Sequence, residues 1–455
     1  MSNKVITFKP TGNSKLINTF SKEGVVMFYN IKKLSFFAFV LVLVFGLSVM
    51  GIAQDKKSLT VFSAQSGNEA EVIRDSVSGF EAATGIDVKF TFTRDLASLL
   101  NTRVRAGNPP DIAILPNPGQ MKTFAEQGNL VKLDFMMNTI KNDHSSTWID
   151  LGSVNDELYG FYIGVSNKSL VWYNPQEFEK MDYETPKTWE ELMDLTEKMV
   201  DEGKMKPWSI GLEAGSASGW PGTDWIEDIM LRTAGGELYD KWVSHDIPWT
   251  HPAVKNAWEI FGEIAKNTDY VYGGTAYELT TNFGDAILEP FKDDPNAYMH
   301  KQASFSTGFI RDKYPEAEAG QDYDFFPFPQ IEEEYGTPVL GGGNIVVLFV
   351  DSEAGQKLLK YLEAPSTQEV WAARLGWISP NKRVSLSAYP NSIVRKSADA
   401  VTKAKVFRFD ASDSMPSDVG SGAFWTGIMN YVQGAKSLDQ ILQNIEEVAK
   451  DAYGS

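Results

Sequence analysis

The run Gly219-Trp-Pro-Gly-Thr-Asp-Trp-Ile-Glu227 sets two indole rings, Trp220 and Trp225, around the carboxylate of Asp224, with Asp228 directly after. Two kinds of chemistry suit that spacing. A pyranose has an apolar C–H face and a polar rim, and flat aromatic rings with a few placed polar groups bind both. Two carboxylates across one sugar hydrolyse it when they stand about 5 Å or about 6.5–9.5 Å apart. Glu213, Asp224, Glu227 and Asp228 are close enough in sequence to be recruited. Sequence supplies no separation in space, so both readings stay open here.

Further aromatic runs repeat the theme. Arg374-Leu-Gly-Trp-Ile-Ser-Pro380 presents Trp377, and Gly422-Ala-Phe-Trp-Thr-Gly427 presents Trp425. Flanked by Gly or Pro, the rings of Trp220, Trp225, Trp377 and Trp425 read as loop-borne ligand surfaces. Trp172, Trp189, Trp258 and Trp371 sit in or beside helical and strand patterns, where core packing competes with that role.

Other chemistry is missing its signature. Gly203-Lys204 lacks the upstream glycine and the following Ser or Thr of a phosphate-binding loop. Gly215-Ser-Ala-Ser-Gly219 centres on Ala217, so the nucleophile-elbow register fails. The four histidines stand apart, with no H-E-x-x-H spacing. Asp410-Ala-Ser-Asp413 offers carboxylates for calcium without the glycine and terminal glutamate of an EF-hand, and a solvated loop is its plainer reading. With no cysteine, disulfides, thiol nucleophiles and thiolate metal sites are excluded. No catalytic residue, metal ligand or cofactor is expected.

These residues need elements to hold them. Leu59–Ser63 is β-prone, Glu69 to Thr84 has helical spacing closed by Gly85, and Ile86–Phe92 alternates with period two. A helix over Leu96–Arg105, a strand over Asp111–Leu115 and a helix over Gln120–Gln127 continue a β-α-β-α-β-α order, which builds a parallel sheet covered by helices. Leu170–Asn174 reads extended. Thr188 and Glu191 form a capping box for a helix with Leu192, Leu195 and Met199 as its buried stripe. A long aromatic, Gly-rich region over 207–300 breaks the alternation. Gly343–Val350 is a further strand, leading into a helix over Ala354–Leu362, and Leu438–Ala452 is a closing helix.

The chain opens with a leader. After Lys32 and Lys33, an uncharged run from Leu34 to Ala53 ends in the small-residue pattern Gly51-x-Ala53, which describes an export signal cleaved after Ala53. The alternative is retention as a membrane anchor, since the run is long enough to span. Met27 opens a tidy leader of its own and is a candidate start. Roughly 400 residues remain, more than one ordinary core holds, so two lobes are expected. A net charge of −18 repels nucleic acid and anionic membrane surfaces, and there is no cysteine for lipidation. The expected product is a soluble periplasmic protein.

A resemblance then joins these pieces. LTVFSAQSGNEAEVIRDSVSGFEAATGIDVKF, NPPDIAILPNPGQMKTFAEQGNLVKL, SLVWYNP, PKTWEELMDLTEKM, GGGNIVVLF, RLGWISPNKRV and RFDASDSMPSDVGSGAFWTG occur in an order similar to family 1 extracellular solute-binding proteins of ABC importers. The blocks around Trp225 and Trp425 look most like the α-glucoside-binding subgroup. The resemblance implies an α/β, two-lobed periplasmic-binding-protein fold like maltose-binding protein, with a ligand cleft between the lobes. It implies an N-terminal lobe of 54–168 plus about 341–378, and a C-terminal lobe of about 169–340 plus 379–455. Interlobe crossings are expected near 165–172, 335–343 and 375–380. By the same resemblance, ligand contacts fall to Ser63, Gln65, Ser66, Asn117, Asn167, Lys168, Gly342, Asn344 and Trp425, beside Trp220, Asp224, Trp225 and Trp377 from the aromatic runs. In the Gly341–Asn344 turn, bare backbone is expected to approach a sugar hydroxyl closely. Pro116-Asn-Pro118 departs from the Trp- and Asp-bearing loop of the maltose-binding relatives. The implied function is capture of a sugar by hinge closure and delivery to a membrane permease by a monomer. A secreted glycosidase and a periplasmic sensor are the alternatives.

Overall fold

The computed structural model describes residues 57–454, so the expected export signal, its cleavage point and Met27 lie outside the described residues. In chain order the main strands are β1 (Ser58–Ser63), β2 (Asp87–Phe92), β3 (Ile112–Leu115), β4 (Gly160–Asn167) and β5 (Leu170–Tyr173). They continue as β6 (Lys206–Trp208), β7 (Ala297–Lys301), β8 (Asp324–Pro327), β9 (Val339–Leu348) and β10 (Phe407–Phe409). One six-stranded sheet runs β10-β9-β3-β1-β2, with β4 also paired to β9. A second sheet runs β8-β5-β7-β6. Strand β1 is parallel to β2 and β3, as the alternating pattern predicts, and β9 enters antiparallel to β3 and β4.

The larger sheet is buried on both faces, and its residues divide with the strand period of two. Leu59, Val61, Ile112, Ile114, Val346 and Leu348 fill one side, while Phe62, Ala113, Leu115, Ile345 and Val347 fill the other. Between the sheets, three segments lie side by side. Val165 and Ile378 exchange backbone hydrogen bonds of 2.7 and 3.1 Å, and Lys168 N donates to Leu340 O at 2.8 Å. Strand β10 joins the larger sheet although it lies within the 379–455 stretch expected of the other lobe.

Local signals fix several helices. Thr188 and Glu191 make the expected capping box, opening a helix over Trp189–Glu202 that Gly203 closes. The expected Glu69–Thr84 helix is two pieces, Gly67–Ser76 and Ser78–Thr84, with Val77 between them at φ −90° and ψ −5°. No helix among the described residues is long and apolar enough to cross a membrane.

The aromatic run at 219–227 corrects the loop reading. Gly219 caps a helix over Trp220–Val243 that is broken at Gly235 (φ 76°, ψ 170°) and has Pro221 in its first turn, where the missing N–H costs nothing. Five helical steps separate Trp220 from Trp225 by about 140° around the axis, so they face different surroundings. Trp220 faces Phe283 and Phe305, with ring centroids 5.0 and 6.1 Å away. Trp225 turns into the core against Trp208 at 5.2 Å and Phe328 at 5.6 Å and is 2 % exposed. It is a packing residue, not a cleft wall. Trp225→Ala is therefore expected to lower the stability to urea by about 3–5 kcal/mol. Equilibrium unfolding checks this, and an unchanged midpoint would contradict the packing.

Candidate functional site

The carboxyl ends of β1, β2 and β3 open onto one cavity of about 360 Å³. That is where open α/β sheets place ligands. The loop after β1 contributes Gln65, the turn after β2 contributes Arg94, and Asn117 follows β3. Facing them are Trp220, Phe283, Phe305 and Phe309, with Trp377 and Trp425 completing the aromatic lining. The mouth is narrowed where Ser216 Oγ donates to Arg94 O at 3.2 Å and the Arg94 guanidinium lies 5.4 Å from the Phe283 ring centre.

Of the sequence-derived positions, Gln65, Asn117, Lys168, Trp220, Gly342, Asn344, Trp377 and Trp425 reach this cavity. Ser63, Ser66, Asn167, Asp224 and Trp225 do not line it, and all but Trp225 stand behind residues that do or beside the crossing segments. Ser63 Oγ donates to Gln65 Oε1, and Gln65 Nε2 donates to Asn344 Oδ1 at 2.7 Å. Ser66 Oγ accepts from Arg94 Nη2 at 2.9 Å. Asn167 Oδ1 accepts from Ser169 N at 3.0 Å, bracing the crossing segment.

Two glycines have steric tasks. A Cβ on Gly342 would lie 2.7 Å from Lys168 Cε, so this glycine makes room for the lysine as well as lining the cavity. At Gly219 φ is +108° and a Cβ would meet Trp425 O at 2.3 Å, so bare backbone lets the two tryptophan-bearing helices touch. Trp425 is further oriented by its Nε1, which donates to Ser412 Oγ at 3.3 Å, and Trp377 Nε1 donates to Glu69 Oε1 at 3.3 Å.

Beneath the cavity is a buried charge cluster that sequence reading missed. Asp410–Asp413 is no solvated loop: Asp410 is 1 % and Asp413 8 % exposed, and Asp410 caps a short helix over Ala411–Ser414. Asp410 Oδ1 accepts from Asp413 N and Ser412 Oγ, both at 2.8 Å. The Lys168 ammonium bridges Asp410 Oδ2 and Asp224 Oδ1, the latter at 2.8 Å, and lies 5.3 Å from the Trp220 ring centre. Glu227 accepts from Ala411 N at 3.0 Å and Ser412 N at 3.1 Å. Oxygens of Asp224, Glu227 and Asp410 lie within 4.8 Å of one another, a spacing that suits a cation. The ammonium already holds two of these groups and backbone N–H groups hold the third, which leaves Asp224 Oδ2 as the one oxygen of the three carboxylates without a hydrogen-bond partner.

The same helix carries a second charged row. Asp228 accepts from Ser169 Oγ at 2.8 Å and pairs with Lys301 Nζ at 3.3 Å and with Arg232. Arg232 also donates to the carbonyls of Phe328, Pro329 and Pro338. The signal for this face was present in the sequence as acids and a base at helical spacing, Asp224, Glu227, Asp228 and Arg232. Arg94 and Glu69 had a weaker signal, their place in or after the loops that follow β1 and β2.

Crowded acids in a dry site hold protons. Burial works against the Lys168 charge, yet the surrounding carboxylates outweigh it and hold its pKa well above the ordinary range. Asp410 is lowered, because Lys168 overcomes the effect of burial. Burial, reinforced by Asp410, raises Glu227 and Asp413 well above the usual carboxylate range. Burial pushes Asp224 up to about 7 against the pull of Lys168.

Comparison with known proteins gives the class. Residues 76–400 match the bacterial extracellular solute-binding protein family, and the chain belongs to it. It is 43 % identical over 395 residues to the osmoprotective compounds-binding protein GgtB of Synechocystis, covering 86 % of this chain and 92 % of that one. It is 40 % identical over 394 residues to the alpha-glucosides-binding periplasmic protein AglE of Rhizobium meliloti, covering 84 % and 85 %. Among solved structures, a chitin oligosaccharide-binding protein superposes with a TM-score of 0.76 at 17 % identity, covering 88 % of this chain and 99 % of that one. Maltose-bound MalE3 of T. maritima gives 0.69 at 18 % identity, covering 87 % and 99 %. These likenesses establish the two-lobed periplasmic-binding-protein fold.

The acid cluster has a pH signature. Asp224 keeps its proton in the folded protein up to about 7, whereas the unfolded chain releases it near the ordinary 3.8. The folded state thus binds the extra proton between these values, and the group's contribution to stability falls as pH rises through that window. In thermal unfolding, the wild-type Tm is expected to fall relative to that of Asp224→Asn from about pH 5 to about pH 8. Parallel Tm curves for the two proteins would contradict the assignment.

Proposed function

We propose that this protein is the ligand-capturing component of an ABC importer, taking a neutral α-glucoside or short saccharide into the cleft and delivering it to a membrane permease. The observation that carries the ligand class is how the cavity's own cations are placed. Lys168 lies over Trp220 and Arg94 over Phe283, at 5.3 and 5.4 Å. A cationic ligand would compete with both for the same electron-rich ring faces. Trp377 and Trp425, together with the amides of Gln65, Asn117 and Asn344, leave flat apolar surface and neutral hydrogen-bonding groups, which suit a sugar's face and rim. The names of the relatives agree: one binds α-glucosides, the other osmoprotective compounds.

Capture runs by closure of one lobe, 54–168 with about 341–378 and strand β10, on the other, about 169–340 with the remainder of 379–455, about the crossing segments. Ligand favours the closed state because only there do both sides touch it. The exported chain acts as a monomer in the periplasm after cleavage behind Ala53. One observation favours a hydrolase: carboxylate oxygens of Asp224, Glu227 and Asp410 lie within 4.8 Å. Of these three residues only Asp410 lines the cavity, and Lys168 holds it, so this trio supplies no free pair to flank a bond.

Isothermal titration of the protein with maltose, trehalose and sucrose tests the reading, with the sugar analysed afterwards. Saturable binding with sugar recovered intact is expected, and Trp425→Ala is expected to weaken it by about tenfold with the Tm retained. Cleaved sugar, or affinity unchanged in that variant, would overturn the assignment.

A further inference from the structure

A second concavity, a groove of about 370 Å³, lies between the helices Trp425–Gln433 and Leu438–Tyr453. It abuts the cleft. Asp418 and Gly422 line both spaces, so the π-helical segment Asp418–Phe424 is the wall between them. Along that wall Ser417, Ser421 and Trp425 face the cleft, while Ala423, Thr426 and Gly427 face the groove. Gly422 puts no side chain into either space.

The chemistry of the groove suits the same ligand class as the cleft. Ile441, Ile445 and Val448 form its floor. Its rim carries Asp418, Thr426, Asn430, Lys436 and Asn444, and among the described residues none of these side chains has a hydrogen-bond or ion-pair partner. Short hydroxyl and amide groups above an aliphatic floor match the alternating polar rim and C–H face of a sugar ring. A lone apolar partner would leave the rim groups unpaired, and burying them so would cost binding energy.

We propose that the groove is an outer subsite: the cleft holds the first sugar units, and a longer saccharide passes over Gly422 to lay a further unit between the two C-terminal helices. This rests on the saccharide reading of the cleft and deepens it, since the natural ligand class then includes oligosaccharides longer than the cleft alone would hold. Asn444 and Thr426 do not line the cleft, so a bulky residue at either can block the groove without touching the inner site.

Calorimetric titration with maltose, maltotriose and maltotetraose tests the subsite on the full protein, on Asn444→Trp and on Thr426→Trp. In the wild type, affinity is expected to rise by about tenfold with chain length. Both variants should lose that gain while binding maltose as before. A flat length series in the wild type would overturn the subsite and leave the sugar reading standing. So would a gain that survives in both variants. Failure of every saccharide to bind would overturn the function itself and the subsite with it.

Discussion

The structure depends on one buried charged face. The helix Trp220–Val243 turns Asp224, Glu227, Asp228 and Arg232 inward, each 4 % exposed or less, against Lys168, Lys301 and the chain segments that cross between the sheets. Charges taken out of water cost several kcal/mol each unless partners and hydrogen bonds offset the loss. Here nearly every oxygen and N–H has such a partner, some of them side chains such as Lys168, Lys301 and Ser169 and others backbone groups of distant chain segments. Arg232 ties down the 328–338 segment, Asp228 holds Ser169, and Glu227 holds the turn at Ala411 and Ser412. An apolar face would bury as well, but it would not fix three separate pieces of chain at set angles.

The cleft inherits its geometry from that face. Lys168 reaches through the gap left by Gly342 to bridge Asp224 and Asp410, and its charge lies near the ring of Trp220. Glu227 holds the turn that carries Ser412, and Ser412 orients Trp425. Two aromatic walls are therefore set by residues that are themselves fixed by the charged helix. Closure can then be a rigid movement about prepared segments, with little side-chain ordering left to oppose binding.

Much of this was legible in the sequence, and the failures have physical causes. Parallel strands around β1 announced themselves because short strand patterns and helical patterns alternate along the chain. Thr188 and Glu191 announced a helix start by a local hydrogen-bond pattern. Trp225 misled because Gly and Pro at 219–222 mimic a loop, whereas they are a cap and a first helical turn. Asp410 and Asp413 read as solvated because acids are mostly exposed. Their partners are distant in sequence, Lys168 for Asp410 at 242 residues and Asn117 for Asp413 at 296, and no local pattern reports such contacts. Arg94 was overlooked for the same reason: its partners Ser66 and Phe283 are distant in the chain.

A crystal structure of the protein grown with an α-glucoside tests the central claim most directly. The account predicts sugar in the cavity, stacked on Trp425 and hydrogen-bonded to Asn117 or Gln65, with the Lys168 ammonium still bridging Asp224 and Asp410. A sugar bound elsewhere with this cavity empty would contradict it, as would a Lys168 side chain that leaves both carboxylates to grip the ligand.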